Sequence, residues 1–123
     1  MIVVSAELLA ALDLARLQAL AQRLEGGAVV CYPAPRPEAG GAPAWPPVAR
    51  IPFAPGVGTI AAGALAVTTP IEGQVQQSGD IAWARVESGA GVWIADCDAS
   101  DLQLDRTTVL AGAFVSLLEG RFA

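Results

Sequence analysis

Few residues of this chain are equipped for chemistry. It carries twelve carboxylates and two cysteines but no histidine. Without histidine, Ser-His and Cys-His nucleophile systems lack their base, and the usual zinc sites lack a ligand. Cys31 and Cys97 have no neighbouring cysteine at metal-ligand spacing and are too few for a disulfide framework. They read as two small buried thiols, with a Cys31–Cys97 bridge as the alternative. Gly56-Val57-Gly58-Thr59-Ile60-Ala61 fits the pattern G-x-G-x-x-A. A dinucleotide site needs a strand before that pattern and a helix after it. Pro55 precedes it here, and Ala61-Ala62-Gly63 leads into a strand-like run, so the segment reads as a turn.

The acidic cluster Asp96, Asp98, Asp101 and Asp105 is the best ligand-like feature. Asp96-Cys97-Asp98 with Asp101 has the D-x-D-x-x-D spacing of a calcium loop. It lacks the mid-loop glycine and terminal glutamate of an EF-hand. On a strand, Asp96 and Asp98 share a face, which permits joint ligation of an ion. The competing reading is a solvated strand end with Asp96 paired to Arg85. Paired carboxylates also suit glycoside hydrolysis, but no other feature supplies a sugar cleft. No catalytic, cofactor-binding or metal-ligating residue is assigned, and no cofactor is implied; ion binding at Asp96, Asp98 and Asp101 stays open.

Composition points to assembly. Of 123 residues, 54% are hydrophobic and only 15% charged, against about a quarter charged in typical domains. Large exposed apolar patches usually mark interaction sites. The net charge is -5, and the seven basic residues are scattered arginines: Arg16, Arg23, Arg36, Arg50, Arg85, Arg106 and Arg121. No basic stripe exists to neutralise phosphates, so nucleic acid is not an expected partner. The N-terminus lacks a basic n-region and soon carries Glu7 and Asp13, so no secretion signal is expected. The charge-free run from Ile51 to Ile71 contains Pro52, Pro55, Pro70, Gly56, Gly58 and Gly63. Those residues argue against a membrane helix and for strands and turns.

One domain, 1–123, must position these residues. Residues 6–25 read as its single helix, with Ser5 as N-cap, Glu7 in the first turn and Gly26-Gly27 as the stop. Leu8, Leu9, Leu12, Leu17, Leu20 and Leu24 lie on one broad half of the helical wheel. Asp13 and Arg16, spaced i, i+3, are placed to pair. This helix is expected to cover a sheet or to join a neighbour's helix. From Ala28 the period becomes two, and residues 28–123 read as a β-sandwich. Strands are expected at Ala28–Tyr32, Val48–Phe53, Ala64–Thr69, Ile71–Val75, Asp80–Glu87, Val92–Asp98, Leu102–Leu104, Val109–Leu110 and Phe114–Leu118. Pro52 puts Val48–Phe53 at a sheet edge. Between the first two runs lies a Pro-rich arm, 33–47, stiffened by six prolines. Such a loop is usually functional or mobile. Trp45 near its end is either a contact residue or part of a lid on the core.

The clearest hairpin joins Asp80–Glu87 to Val92–Asp98 through Ser88-Gly89-Ala90-Gly91. A turn symmetric about Gly89-Ala90 opposes Ala82, Ala84 and Val86 to Cys97, Ala95 and Trp93. The other face then holds Ile81, Trp83, Arg85 and Glu87 with Asp98, Asp96, Ile94 and Val92, and Arg85 is diagonal to Asp96. A sheet that coats a core on one side normally alternates apolar and polar residues. Here both faces carry bulky apolar groups. The second face must therefore be covered by the helix, the arm or another subunit. The overall expectation is a mainly β protein: an antiparallel β-sandwich or jelly-roll-like domain of about eight short strands with one N-terminal α-helix.

Four segments, in order, also resemble a family. They are Ala15-Arg16-Leu17-Gln18-Ala19, Val29-Val30-Cys31-Tyr32-Pro33-Ala34-Pro35-Arg36-Pro37, Ala82-Trp83-Ala84-Arg85-Val86 through Asp96, and Thr107-Thr108-Val109-Leu110-Ala111-Gly112-Ala113-Phe114-Val115. The set is similar to small structural proteins of tailed bacteriophages and prophages. That resemblance implies a non-enzymatic β-sandwich subunit of a virion, made in the host cytoplasm. Its expected site is the tail tip, baseplate or fibre attachment, or else the capsid surface as decoration. The implied partners are other virion proteins and copies of itself, with no membrane insertion. A second expectation, from the acidic cluster and the aromatics Tyr32, Trp45 and Trp83, is a carbohydrate- or calcium-binding module that recognises the host surface.

Overall fold

Ser5 begins the first element as expected: its hydroxyl accepts a hydrogen bond from the Leu8 amide at 3.1 Å. The computed structural model describes all residues, 1–123. Helix α1 runs Ala6–Leu24 and stops where Gly26 takes φ +76 and the Gly27 amide bonds the Leu24 carbonyl. Asp13 and Arg16 pair at 2.9 Å. No helix is long and apolar enough to cross a membrane.

The rest is antiparallel β, so the chain is a mainly β protein with one N-terminal helix, consistent with a β-sandwich. Its strands are β1 (Ala28–Tyr32), β2 (Ala49–Pro52), β3 (Gly58–Ala61), β4 (Ala64–Val67), β5 (Ile71–Gln74) and β6 (Gly79–Asp80). They continue with β7 (Trp83–Glu87), β8 (Trp93–Asp98), β9 (Gln103–Leu104), β10 (Thr108–Val109), β11 (Phe114–Glu119) and β12 (Arg121–Phe122). Twelve strands replace the expected eight or so because several are only two residues long and the hydrophobic pattern cannot resolve them. The charge-free run 51–71 holds the end of β2, all of β3 and β4, and the start of β5. The peptide bond before Pro70, at the bend between β4 and β5, is cis.

One four-stranded sheet has the order β2-β1-β7-β8. Pro52 thus sits on an edge strand, where its missing donor costs no ladder bond. Two three-stranded sheets, β5-β11-β9 and β12-β4-β3, and the pair β10-β6 complete the body. One core joins them all: Val29 and Cys31, Ile51, Leu65 and Val67, Ala84 and Val86, Val115 and Leu117 pack together, with Leu17 and Leu24 from α1. Gly73 lets the sheets converge. A Cβ there would overlap the Arg50 carbonyl oxygen of β2.

The hairpin needs two corrections. Its first arm is not continuous from Asp80: β6 ends there and pairs with β10, while the Ile81 and Ala82 amides turn to Thr107 and Tyr32 carbonyls. The register also differs. Trp83 opposes Asp98, Ala84 opposes Cys97, Arg85 opposes Asp96 and Val86 opposes Ala95; the ladder then shifts so that Glu87 meets Trp93. The turn is the cause. Gly91 at φ +77 bonds Ser88, and the Ser88 hydroxyl accepts from the Ala90 and Val92 amides. That is a three-residue loop with a left-handed residue, followed by a bulge at Ile94, rather than a symmetric turn. Inner and outer faces keep their assignments through Val86. The bulge turns Ile94 toward the core and leaves Trp93 half-exposed beside Gly40.

Candidate interaction site

Two surfaces carry the residues singled out by the sequence. The first is the outer face of the four-stranded sheet. Alternation along β1 and β7 sends Ala28, Val30, Tyr32 and Trp83 outward as a second small core. Tyr32 and Trp83 stack with ring centroids 4.5 Å apart. The Trp83 indole donates to the Pro33 carbonyl at 3.0 Å, and the Arg85 guanidinium lies 5.2 Å over its ring. Arg85 holds directly opposed Asp96 in a bidentate pair, Nε–Oδ1 2.7 Å and Nη2–Oδ2 3.1 Å. Their side chains are 9% and 0% exposed.

The cover over this face is the Pro-rich arm. Gly40 donates its amide to Asp96 Oδ2 at 2.9 Å, and Arg85 Nη2 donates to the Gly41 carbonyl at 2.7 Å. Arg36 pairs with Asp98 at 2.8 Å. Gly40 sits at φ +75, a backbone conformation that favours glycine, and a Cβ there would lie against the Trp93 ring. Of the three options for covering this face, the chain uses its own arm. The arm is therefore an internal strap, and it holds down the apolar surface that the sequence made available to a partner. Trp45 remains exposed on it, whereas Tyr32 and Trp83 are buried; the latter two offer no face to a sugar.

These contacts also account for the acidic cluster. Burial disfavours the Asp96 carboxylate, but the hydrogen bonds from Arg85 and Gly40 outweigh it and hold Asp96 below its ordinary value. The Asp98 hydrogen bond raises Arg36 in turn, against a smaller desolvation effect. Asp101 accepts the Asp98 amide at 3.0 Å, and Asp105 accepts the Ser116 amide at 2.9 Å. The four carboxylates are thus committed to separate partners. No group of three His, Cys, Asp or Glu side chains is placed to hold a metal ion.

The cysteines are both free. Cys31 and Cys97 each pair with Ala84 from opposite sides. Two strand spacings separate them by about 9–10 Å, beyond the reach of a disulfide. Burial, with a smaller contribution from Cys97, pushes the Cys31 thiol up to about 12. Burial first, then Asp101, pushes Cys97 up to about 11. Neither is an activated nucleophile. Cys97 lines a small, mostly apolar cavity of about 190 Å³ with Phe53, Val67, Val86, Leu117 and Phe122. The G-x-G segment is a turn only at its start: Gly56-Val57 make the bend, and the Gly56 amide donates to the Glu25 carboxylate at 2.8 Å, whereas Gly58–Ala61, expected to be turn, are strand β3 because they pair along their whole length with β4. Val57 within it is unusual, a β-branched residue at φ +64 held in place by complete burial.

The second surface is helix α1. The broad leucine half divides in the structure. At 100° per residue, Leu17 and Leu24 sit about 150° around the helix from Leu8 and Leu12. The former pair is buried against the β body. Leu8 is 49% exposed and Leu12 is 56% exposed, and Leu9 and Leu14 are as open. Ile2, Val3 and Val4 ahead of the helix continue the apolar surface. Sequence periodicity found these leucines except Leu14, which lies outside the predicted arc, but could not say which edge of the arc the sheets would take.

Fold and surfaces together define a class: a small, mainly β domain whose sheet face is covered by its own arm and whose docked N-terminal helix leaves a row of leucines exposed. No protein-family model, curated protein or solved structure matches the chain.

Proposed function

We propose that this chain is a non-enzymatic structural subunit of a tailed-bacteriophage particle, docked to its neighbours through helix α1. The observation that carries the reading is the row of exposed leucines on α1, continued by Ile2, Val3 and Val4. Exposed apolar surface on this scale has a cost in water that association removes. The absence of histidine, the protonated cysteines and the committed carboxylates all favour a structural role over catalysis. The ordered resemblance of the helix, arm, hairpin and C-terminal segments supports the phage setting. Within it, the tail tip, baseplate or fibre attachment is preferred, with capsid decoration second. The strap is consistent with a part that must hold its shape within a lattice, because it ties a long loop by five side-chain hydrogen bonds from or to Arg36, Gly40 and Gly41 and Pro33.

Mass spectrometry of purified particles from a host carrying the gene tests this. The chain is expected at stoichiometric copy number, resistant to high-salt washing. Particles complete and infective without it would refute the proposal.

A further inference from the structure

We infer that the partner seated on helix α1 is the same helix of a second copy, packed antiparallel across a two-fold axis. The inference deepens the subunit reading and rests on it. Leu8, Leu12, Ala15 and Ala19 follow the 4-3-4 spacing that lines one face of a packed helix. All four are exposed, and they lie away from the buried Leu17 and Leu24. The stripe is large at one end and small at the other. A parallel partner would stack leucine on leucine and alanine on alanine, giving a gap that widens along the axis. An antiparallel partner, with its axis between residues 13 and 14, sets Leu8 against Ala19 and Leu12 against Ala15. Every layer then combines one large and one small side chain, so the two helices keep a uniform separation.

The flanks agree with the same register. Arg16 and Leu9 border the stripe on one side, and the axis places each against the other, so the arginines of the two copies do not meet. Ala11 and Gln18 do likewise on the other side. Acidic Glu7 and Asp13 occupy the first half of the helix, and Arg16 and Arg23 the second. Antiparallel packing therefore opposes a negative half to a positive one, and opposes the two helix dipoles. The register carries the segment before Ala6 toward the partner's Arg23 and Glu25. An open hollow lies there, lined by Gln22, Ser88, Gly89 and the exposed Val92. Ile2, Val3, Val4, Leu8, Leu9 and Leu12 expose at most roughly 700 Å² per chain, close to the ~800 Å² each partner contributes to a standard interface.

The full chain should run in light-scattering chromatography at twice its 12.5 kDa mass at micromolar concentration. Leu12→Glu should raise the dimer dissociation constant at least 100-fold with an unchanged circular-dichroism spectrum, because Leu12 makes no core contact. Leu14→Glu, on the other edge of the helix, should leave the dimer intact. A nitroxide at Arg23→Cys in a Cys97→Ala background reports direction. An antiparallel pair separates the two labels by about 28 Å along the axis, whereas a parallel pair holds them at roughly the 8–10 Å interhelical distance plus label length. A monomer at 100 µM, a dimer indifferent to Leu12→Glu, or a short label distance overturns the pairing. A monomer found within purified particles defeats this inference alone; a dimer absent from them defeats the phage reading alone.

Discussion

Replacing Asp96 by alanine isolates what the strap and the hairpin do for each other. The Asp96 side chain is fully buried, and it satisfies two Arg85 donors and the Gly40 amide at once. Its removal leaves the Arg85 guanidinium, only 9% exposed, with a single partner in the Gly41 carbonyl. Breaking one side of a buried pair costs about 3–5 kcal/mol. At roughly 4 °C per kcal/mol for a domain of this length, the melting temperature should fall by about 12–20 °C. The double variant Arg85→Met, Asp96→Leu removes both charges and should recover most of that, ending within about 1–2 kcal/mol of the parent. Urea unfolding followed by circular dichroism gives both numbers. The pH dependence has a fixed sign. Asp96 titrates below its ordinary 3.8 in the folded chain. The pair's contribution is thus present above that unfolded value and is lost as pH falls through the folded one. The difference between parent and Asp96→Ala should be flat from pH 7 down to about 5 and shrink below 3.8. A loss under 1 kcal/mol at pH 7, or additive single variants, would show that the arm does not bury a working ion pair.

Three further outcomes follow from the packing. Trp83→Ala should cost about 3–5 kcal/mol, since the ring is 1% exposed and its stack on Tyr32 is lost; Trp45→Ala, on an exposed ring, should stay within about 0.5 kcal/mol in the same thermal melt. Gly73→Ala should prevent β5 from seating against β2 and lower the yield of folded protein, read by proton NMR dispersion, because the new Cβ overlaps backbone that cannot move aside. At pH 8, iodoacetamide should modify Cys31 and Cys97 far more slowly in native protein than in urea, as thiols held near 12 and 11 predict; rapid native labelling of Cys31 would contradict its burial.

Much of this architecture is legible from short-range chemistry. The Ser5 cap, the Asp13–Arg16 pair, the edge position of Pro52 and the two-faced apolar hairpin are local or period-two signals. What escapes is decided at longer range. The Arg85–Asp96 register depends on a left-handed Gly91 and a bulge at Ile94, which no alternation pattern encodes. Strand β12 is too short to have a period, β3 starts inside a glycine-rich segment that reads as a turn, and the break at Ile81 exists because its amide is claimed by Thr107. The apolar excess was legible as an amount but not as a place. The arm and hairpin cover much of each other's surface, and the largest continuous remainder stays on the helix because only one edge of its leucine arc meets the sheets, with Trp45, Val92, Leu110 and Phe114 exposed singly elsewhere.

The strap has a consequence for how copies can associate. Strand β8 is an outer strand, with backbone groups that could template another chain and so start an open-ended fibre. Arg36 lies across that border, donating to the Asp96 carbonyl at 3.4 Å while bound to Asp98, and Pro52 blunts the opposite border. Growth by sheet extension is discouraged on both sides. Contact through a single two-fold helix pair closes on itself and stops at two. If the proposed pair forms, the protein would stay at two copies at high concentration, and a larger lattice would have to be ordered by whatever else binds that dimer.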